Sequence, residues 1–458
     1  MLNAIWAILI LTAVVVGGLT GAYSGESSLT ETAFGMAEAA VMKTALPLAG
    51  ILMLWLGMMK LAEASGMVRS LARLLSPGMR LLFPDVPRGH PASGAMVMNF
   101  AANMLGIGNA ATPLGLKAMA ELEKINPRPG TASNAMCTFL AINTSSVTLI
   151  PATAIAVLAT AGVSNPERIV ITALGATLCS TAAAIAAVKI LERLPWFRVA
   201  PAATAVSGGD ETAREGPVEA SSSLPPPVSR GRLMAFAATA ASFGFAALLL
   251  ELNPGWSETV RVWLGGAIES AAGAGEAESP ARRFFNAAAA MAIPYVFFVI
   301  VGYAWVRRLP VFELFVDGAK EGFQVALRIM PYLVAMLVAM GLFRDSGALA
   351  LLGKVLGPAL AFVGFPVDLL PMAVMRPLSG GASVGLLAEI AARPDLADGV
   401  KHTAATMFGS TETTFYVLAV YFGSVSIRKT RHAAAAGLLA DAAGIIAAVF
   451  FCRLYFGY

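Results

Sequence analysis

Asn99-Phe-Ala-Ala-Asn103-Met-Leu-Gly106-Ile-Gly108-Asn109-Ala-Ala-Thr112, followed by Pro113, puts three asparagines and two closely spaced glycines into a very apolar chain. A continuous membrane helix does not choose these residues. In hydrocarbon every backbone N–H and C=O needs an internal partner, so the pattern predicts a broken helix buried in protein or lining a wet cavity at the centre of a membrane binding site. The plainer alternative is a kinked core helix whose asparagines bond to neighbouring helices. A second polar stretch, Ala141-Ile-Asn143-Thr144-Ser145-Ser146-Val-Thr148 before Pro151, favours the site, because two interruptions are harder to assign to a kink than one.

The surroundings of these breaks set the protein class. The chain has 458 residues, 57% hydrophobic and only 13% charged, against about 25% charged in soluble domains. Several apolar runs approach the ~20 residues that span a bilayer. The fold class expected is an all-α polytopic membrane protein with two inverted-topology repeats, broken or re-entrant helices and amphipathic interfacial helices. Nucleic acid is not expected as a partner, since the net charge of +4 is small and no basic block is interleaved with aromatics. Cys137, Cys179 and Cys452 are widely spaced in apolar segments, where they read as small core residues; no metal site or cofactor is expected.

Taken in order, residues 2–23 read as a membrane helix rather than a cleaved leader, and the acidic, lysine-free segment 24–42 reads as an outward loop. The run 43–61 is followed by Arg69, Arg73, Arg80 and Arg88, which place that connection in the cytoplasm. Met67, Val68, Leu71, Leu74, Leu75 and Met79 recur there at helical spacing, forming an amphipathic helix. The pieces around the two polar stretches are too short to span alone, and half-helices meeting near the midplane explain them. Lys117 and Glu121 read as a helix pair. The composition predicts four regions: a first repeat (1–197), a flexible cytoplasmic linker (198–231), two connecting membrane helices (232–312) with Trp256 and Trp263 between them, and a second repeat (313–458).

Self-similarity between the halves supports this division. A helix bearing Pro47 leads to Ser65-Gly66, Pro77 and the asparagine-rich break. A helix bearing Pro331 leads to Ser346-Gly347, Pro358 and Arg376-Pro-Leu-Ser379-Gly-Gly-Ala-Ser383. Asn143-Thr-Ser-Ser146 has its counterpart in Ser410-Thr-Glu-Thr-Thr414. Arg428, Lys429 and Arg431 place the last short loop in the cytoplasm, whereas the matching residues 162–167 lack lysine and arginine, as inverted copies require.

Asn103-Met-Leu-Gly-Ile-Gly-Asn-Ala-Ala-Thr-Pro-Leu-Gly-Leu-Lys-Ala-Met119 and Ala132-Ser-Asn-Ala-Met-Cys-Thr-Phe-Leu-Ala-Ile-Asn-Thr-Ser-Ser-Val147 resemble the spore maturation protein A family. Arg376-Pro-Leu-Ser-Gly-Gly-Ala-Ser383 and Gly409-Ser-Thr-Glu-Thr-Thr-Phe-Tyr416 resemble the spore maturation protein B family. The resemblance covers about residues 1–195 and 315–455 and implies a fusion of two nucleoside-recognition (gate) domains. It also implies a multi-pass protein of the bacterial inner membrane, of transporter type.

The candidate substrate- or ion-binding residues are Asn99, Asn103, Asn109, Thr112, Asn134, Asn143, Thr144, Ser145 and Ser146 in the first half. In the second they are Arg376, Ser379, Ser383, Ser410, Thr411, Glu412 and Thr413. An arginine at membrane depth costs at least a few kcal/mol without a partner or wet cavity. Glu412 is the expected partner of Arg376, either as an ion or proton site or as a structural ion pair. Substitution of either residue is expected to reduce function more than folded protein. No catalytic motif is found, and an enzyme is not expected. The expected partners are membrane lipids and a polar solute, ion or amphiphilic envelope precursor, with a homo-oligomer open. A scaffold for envelope proteins and a lipid-linked precursor flippase are the alternatives.

Overall fold

The computed structural model describes residues 2–21, 23, 28–87, 89–106, 108–197, 230–252, 280–352, 354–355 and 364–457. Almost all of the linker expected at 198–231, and the loop carrying Trp256 and Trp263, lie outside them. Among the described residues six helices are long and apolar enough to cross a membrane: Leu29–Ala64, Pro166–Leu191, Gly231–Leu249, Asn286–Val306, Val311–Asp345 and Ala433–Phe456. Large apolar side chains such as Leu19, Leu178, Trp305, Ile446 and Leu454 are exposed on the outside of the bundle. Such a surface suits lipid rather than water.

The segment expected as an outward loop at 24–42 is instead helical from Leu29. Ser28 caps that helix by accepting from the Glu31 N–H at 3.3 Å, with Glu31 in the favourable first turn. The chain passes through a π-helical turn at Ala40–Ala45 into Leu46–Ala64 without a loop, so three acidic residues were outweighed by a good cap and strong helix formers. Lys117 and Glu121 do not form the expected pair, because Glu121 bonds Lys124 at 2.8 Å.

The order of elements in the first half recurs in the second. Leu46–Ala64 ends at Ser65-Gly66 and Val311–Asp345 at Ser346-Gly347; both serine hydroxyls bond the carbonyl three residues back, and both glycines have φ above +80°. That left-handed conformation is one which glycine adopts without a steric penalty. An amphipathic helix, Met67–Leu82, follows in the first half. Next comes a helical hairpin, Pro91–Met104 with Gly108–Lys124 in the first half and Leu370–Met375 with Gly380–Ala392 in the second. A broken helix follows, Asn134–Thr144 with Ala152–Thr160 or Asp398–Ser410 with Thr414–Ser424. Each half closes on a long helix, Ile169–Leu191 or Ala433–Phe456.

Matching elements pack antiparallel. Gly57 lies against Phe315, Gly318 against Leu56 and Lys60, and Gly322 against Leu52, so position rises along one long helix as it falls along the other. Likewise Gly175 meets Phe451, while the Ser180 hydroxyl donates to the Ala440 carbonyl at 2.9 Å. The broken helices are tied at both ends: Ala132 N–H to the Lys429 carbonyl at one, and the Ser164 hydroxyl to the Asp398 carboxylate (2.5 Å) at the other. Small residues at these contacts let backbones approach, the usual basis of helix association in lipid.

Candidate functional site

The breaks meet at the centre of the bundle. In the first half the hairpin turns at Leu105-Gly106, and the Met104 carbonyl accepts from Leu149 N–H (3.0 Å) inside the neighbouring broken helix. In the second, the Pro377 carbonyl accepts from Phe415 N–H at the same distance. Glu412 N–H then donates to the Thr144 carbonyl at 2.6 Å, joining the two broken helices. Unwound backbone is thus satisfied by other unwound backbone, the condition for interrupting a helix at membrane depth. Thr112-Pro113 lie within Gly108–Lys124 and do not form part of the break.

A cavity of about 510 Å³ opens beside this crossing. Its inner end is lined by Asn103, Arg376, Thr411 and Glu412, its walls by apolar and aromatic side chains including Trp55 and Phe408, and its mouth by Lys60, Glu63 and Glu321. Lys60 and Glu321 are paired at 2.7 Å and half-exposed. Asn103 and Arg376 each directly precede the residue whose carbonyl bonds the neighbouring broken helix, so the two hairpin tips present equivalent positions to one chamber.

Arg376 is 3% exposed. Its Nη2 donates to the Thr411 carbonyl and its Nη1 to Thr413 Oγ1 at 3.2 Å, while the guanidinium lies 4.6 Å from the Phe408 ring centroid. Glu412 is a loose partner, 3.9 Å away with its side chain 54% exposed. Arg376 therefore holds the second hairpin tip against the unwound end of Asp398–Ser410, where carbonyls without helical partners attract a cation.

Of the residues picked from the sequence, Asn103, Arg376, Thr411 and Glu412 come together in the cavity wall. The others lie around it or away from it. Asn99 donates to the Ala111 carbonyl at 2.7 Å, and Asn143 bonds Asn103 (2.9 Å) and the Phe139 carbonyl. Thr144, Ser145 and Ser410 return their hydroxyls to carbonyls of their own helices, and Ser146 accepts from Thr148. Ser379 caps Gly380–Ala392 and accepts from Ala382 N–H, Ser383 bonds back to Ser379, and Thr413 receives Arg376. Asn134 lies at the far end of its half-helix, bonded to Arg431 at 2.8 Å. Thr112 lies on Gly108–Lys124, and the side chain of Asn109 falls outside the described residues.

Three buried polar groups were not picked out. Trp55 faces the cavity with its indole N–H unpartnered, and Asp441 has one carboxylate oxygen unpartnered at 1% exposure. A lone aspartate in a 24-residue apolar helix is the signal that marks Asp441. His432 is fully buried against Phe197 with both ring nitrogens unpartnered, and burial, with Arg431 and Lys189 nearby, pushes its pKa down to about 4. Between that value and the ordinary 6.5 the unfolded chain binds a proton that the folded chain does not. The stability that neutral His432 contributes is therefore complete above 6.5 and lost as pH falls toward 4. Unfolding temperature in detergent is expected to fall less steeply across that window in His432→Phe than in the unsubstituted protein.

A second chamber of about 440 Å³ lies toward the opposite end, lined by Lys43, Thr160, Arg344, Glu389, Arg393 and Asp395. Arg344 pairs with Glu389 and Arg393 with Asp368, both at 2.7 Å. The hydrogen bond from Arg393 holds the Asp395 carboxyl below its usual range.

Paired helical hairpins and broken helices around a central cavity, within a bundle that carries six candidate spans, define a polytopic all-α membrane protein. The chain belongs to the Gate family, described as nucleoside recognition, whose model matches residues 45–192 and 326–428. Spore maturation protein B of Bacillus subtilis (strain 168) is 42% identical over 165 residues, covering 36% of this chain and 93% of that protein. Spore maturation protein A of the same organism is 40% identical over 198 residues, covering 43% of this chain and 97% of its own length. The two match different parts of the chain, consistent with a fusion. Inner membrane protein YjiG of Escherichia coli (strain K12) is 29% identical over 85 residues, 18% of this chain and 56% of that protein. With the candidate spans, these relatives identify a multi-pass inner-membrane protein. No solved structure matches the chain.

Proposed function

We propose that the protein is a non-catalytic transporter that moves a polar solute, ion or amphiphilic envelope precursor through a site where two inverted repeats meet. The observation that carries this reading is the cavity whose inner end presents Asn103 from one hairpin tip and Arg376 from the other. Antiparallel packing of both pairs of matching long helices and of the broken helices supports an inverted repeat, the arrangement on which alternating access rests. Arg69, Arg73, Arg80, Arg428, Lys429 and Arg431 assign the end near Lys60 and Glu63 to the cytoplasm, so the cavity opens inward. The opposite chamber, which carries the Arg344–Glu389 and Arg393–Asp368 pairs, is the outer end of the path, with those pairs as its gate.

A scaffold role draws on Met67–Leu82, which exposes Leu74 and Leu81 on a helix that also carries three arginines. Thermal unfolding of the purified protein across a panel of solutes and lipids separates the readings. Transport predicts stabilisation by a member of the panel, lost in Asn103→Ala. No stabilisation anywhere, with a protein partner co-purifying in fixed ratio, overturns transport in favour of scaffolding.

A further inference from the structure

Asp441 lies within Ala433–Phe456, behind the crossing of the breaks rather than in the cavity wall. It is 1% exposed, its Oδ2 accepts the Thr414 hydroxyl at 2.6 Å, and its Oδ1 has no partner. Thr414 is the first residue of the second half-helix of its broken pair, so the carboxylate holds the point where that helix resumes. One turn before it, Gly437 packs against Thr414 and Thr144, the residues that flank the two breaks.

The elements packed on this helix are Ile169–Leu191, Asn134–Thr144, Asp398–Ser410 and Thr414–Ser424. Their titratable groups are Cys179 and Lys189, Cys137, Asp398 with Lys401 and His402, and Tyr416 with Tyr421. Lys189 acts on His432, Cys137 lies by Thr430, and Asp398 and His402 bond Ser164 and Asn165 at the other end. Tyr421 meets Asn99, Tyr416 is exposed, and Cys179 is exposed on the bundle surface. The charges that bear on Asp441 are Arg376 and Glu412, both of which line the cavity. Next to Ala440 the opposing long helix offers the hydroxyl of Ser180.

We propose that Asp441 is a proton-binding site, loaded in this inward-open state and emptied when the cavity closes, so that a proton is the coupling ion; the coupling rests on the transporter reading above. An ionised carboxylate buried with an orphaned oxygen costs far more than a neutral acid in the same position, so the packing around Asp441 in this state favours the protonated form. Loss of the proton leaves a negative charge behind Arg376, in competition with Thr411, Thr413 and Glu412 for that guanidinium. The contacts that hold the second hairpin tip to the broken helix then change. Proton binding at Asp441 and closure around Arg376 are linked by that competition.

Two measurements on the full chain in lipid nanodiscs test this. In pH-difference infrared spectra, a protonated-carboxyl band is expected in the unsubstituted protein and in Glu389→Gln and Glu412→Gln, and absent in Asp441→Asn. Thr153→Cys, on the cavity wall, is labelled by a membrane-impermeant maleimide in a chain freed of its native cysteines, with rates normalised to the unfolded chain. Labelling is expected to accelerate as pH falls, by up to about tenfold per pH unit, the limit for one proton. Asp441→Asn should stay at the fast rate at every pH, and Thr414→Val should move the midpoint to higher pH by removing a donor to the carboxylate. His432, with its pKa near 4, stays neutral above that range. A carboxyl band that persists in Asp441→Asn overturns the proposal. If Asp441→Asn does not fold, an unmoved midpoint in Thr414→Val overturns it. A band lost in Asp441→Asn together with pH-independent labelling keeps the proton site and overturns the coupling, while the transporter reading stands or falls separately on the solute panel.

Discussion

Arg376→Ala is expected to destabilise the protein by about 3–5 kcal/mol, the usual cost of removing one member of a buried, hydrogen-bonded charge cluster. The guanidinium satisfies the Thr411 carbonyl and Thr413 hydroxyl of the unwound segment and covers the Phe408 ring, so its loss leaves those groups without the partner that holds the segment. Arg376→Lys keeps the charge but not the two-pronged geometry, and falls between the two. Glu412→Gln behaves differently. Its carboxylate is more than half exposed and 3.9 Å from the arginine, which puts the expected change within about 1 kcal/mol. Denaturant titration in detergent, followed by helical circular dichroism, measures all three. From the sequence, Glu412 is the expected partner of Arg376, and loss of either is expected to harm function more than folding. The structure ties Arg376 into the fold through Thr411 and Thr413, whereas Glu412 is a loose, half-exposed neighbour in the cavity wall.

The residues that break helices were legible because hydrocarbon makes them costly. Asparagine, serine and threonine clustered beside glycine and proline mark where backbone must find other partners, and both broken helices and both hairpin tips lie at such clusters. Which of those polar groups face a cavity was not legible. Thr144 and Ser145 have the same composition signature as Thr411, but their hydroxyls turn back onto their own helices, a choice set by three-dimensional packing. Asn134 was grouped with the site as part of the spore-maturation-like motif that ends in Asn143-Thr-Ser-Ser146, whereas half a broken helix separates it from the crossing. The helix from Leu29 was hidden by charge: Glu31 and Glu38 look like a loop, although the serine cap and a glutamate in the first turn are helix signals. Asp441 was legible in principle, as a carboxylate alone in an apolar span, and its partner Thr414 was already within a motif singled out from the sequence.

Gly322→Val is expected to force the two halves apart at their interface. A Cβ at this position would lie 2.6 Å from the Leu52 carbonyl and 2.7 Å from the Met53 Cα, both backbone atoms that cannot turn aside. Leu46–Ala64 and Val311–Asp345 must then separate along their glycine contacts. Overpacking of a flexible core costs about 1–3 kcal/mol, and a clash with backbone on a rigid helix exceeds that range. Gly35→Val is the control, since a Cβ there meets nothing within 4 Å. Separation also moves the cavity wall, because Leu52 and Val325 line it from the two helices. The expected result is therefore a loss of folded protein in Gly322→Val far beyond that in Gly35→Val. In Gly322→Ala, the milder version, the surviving protein should show altered Thr153→Cys labelling. Unchanged labelling in Gly322→Ala would mean that the cavity does not depend on the contact between the two long helices, and that the hairpin tips alone shape it.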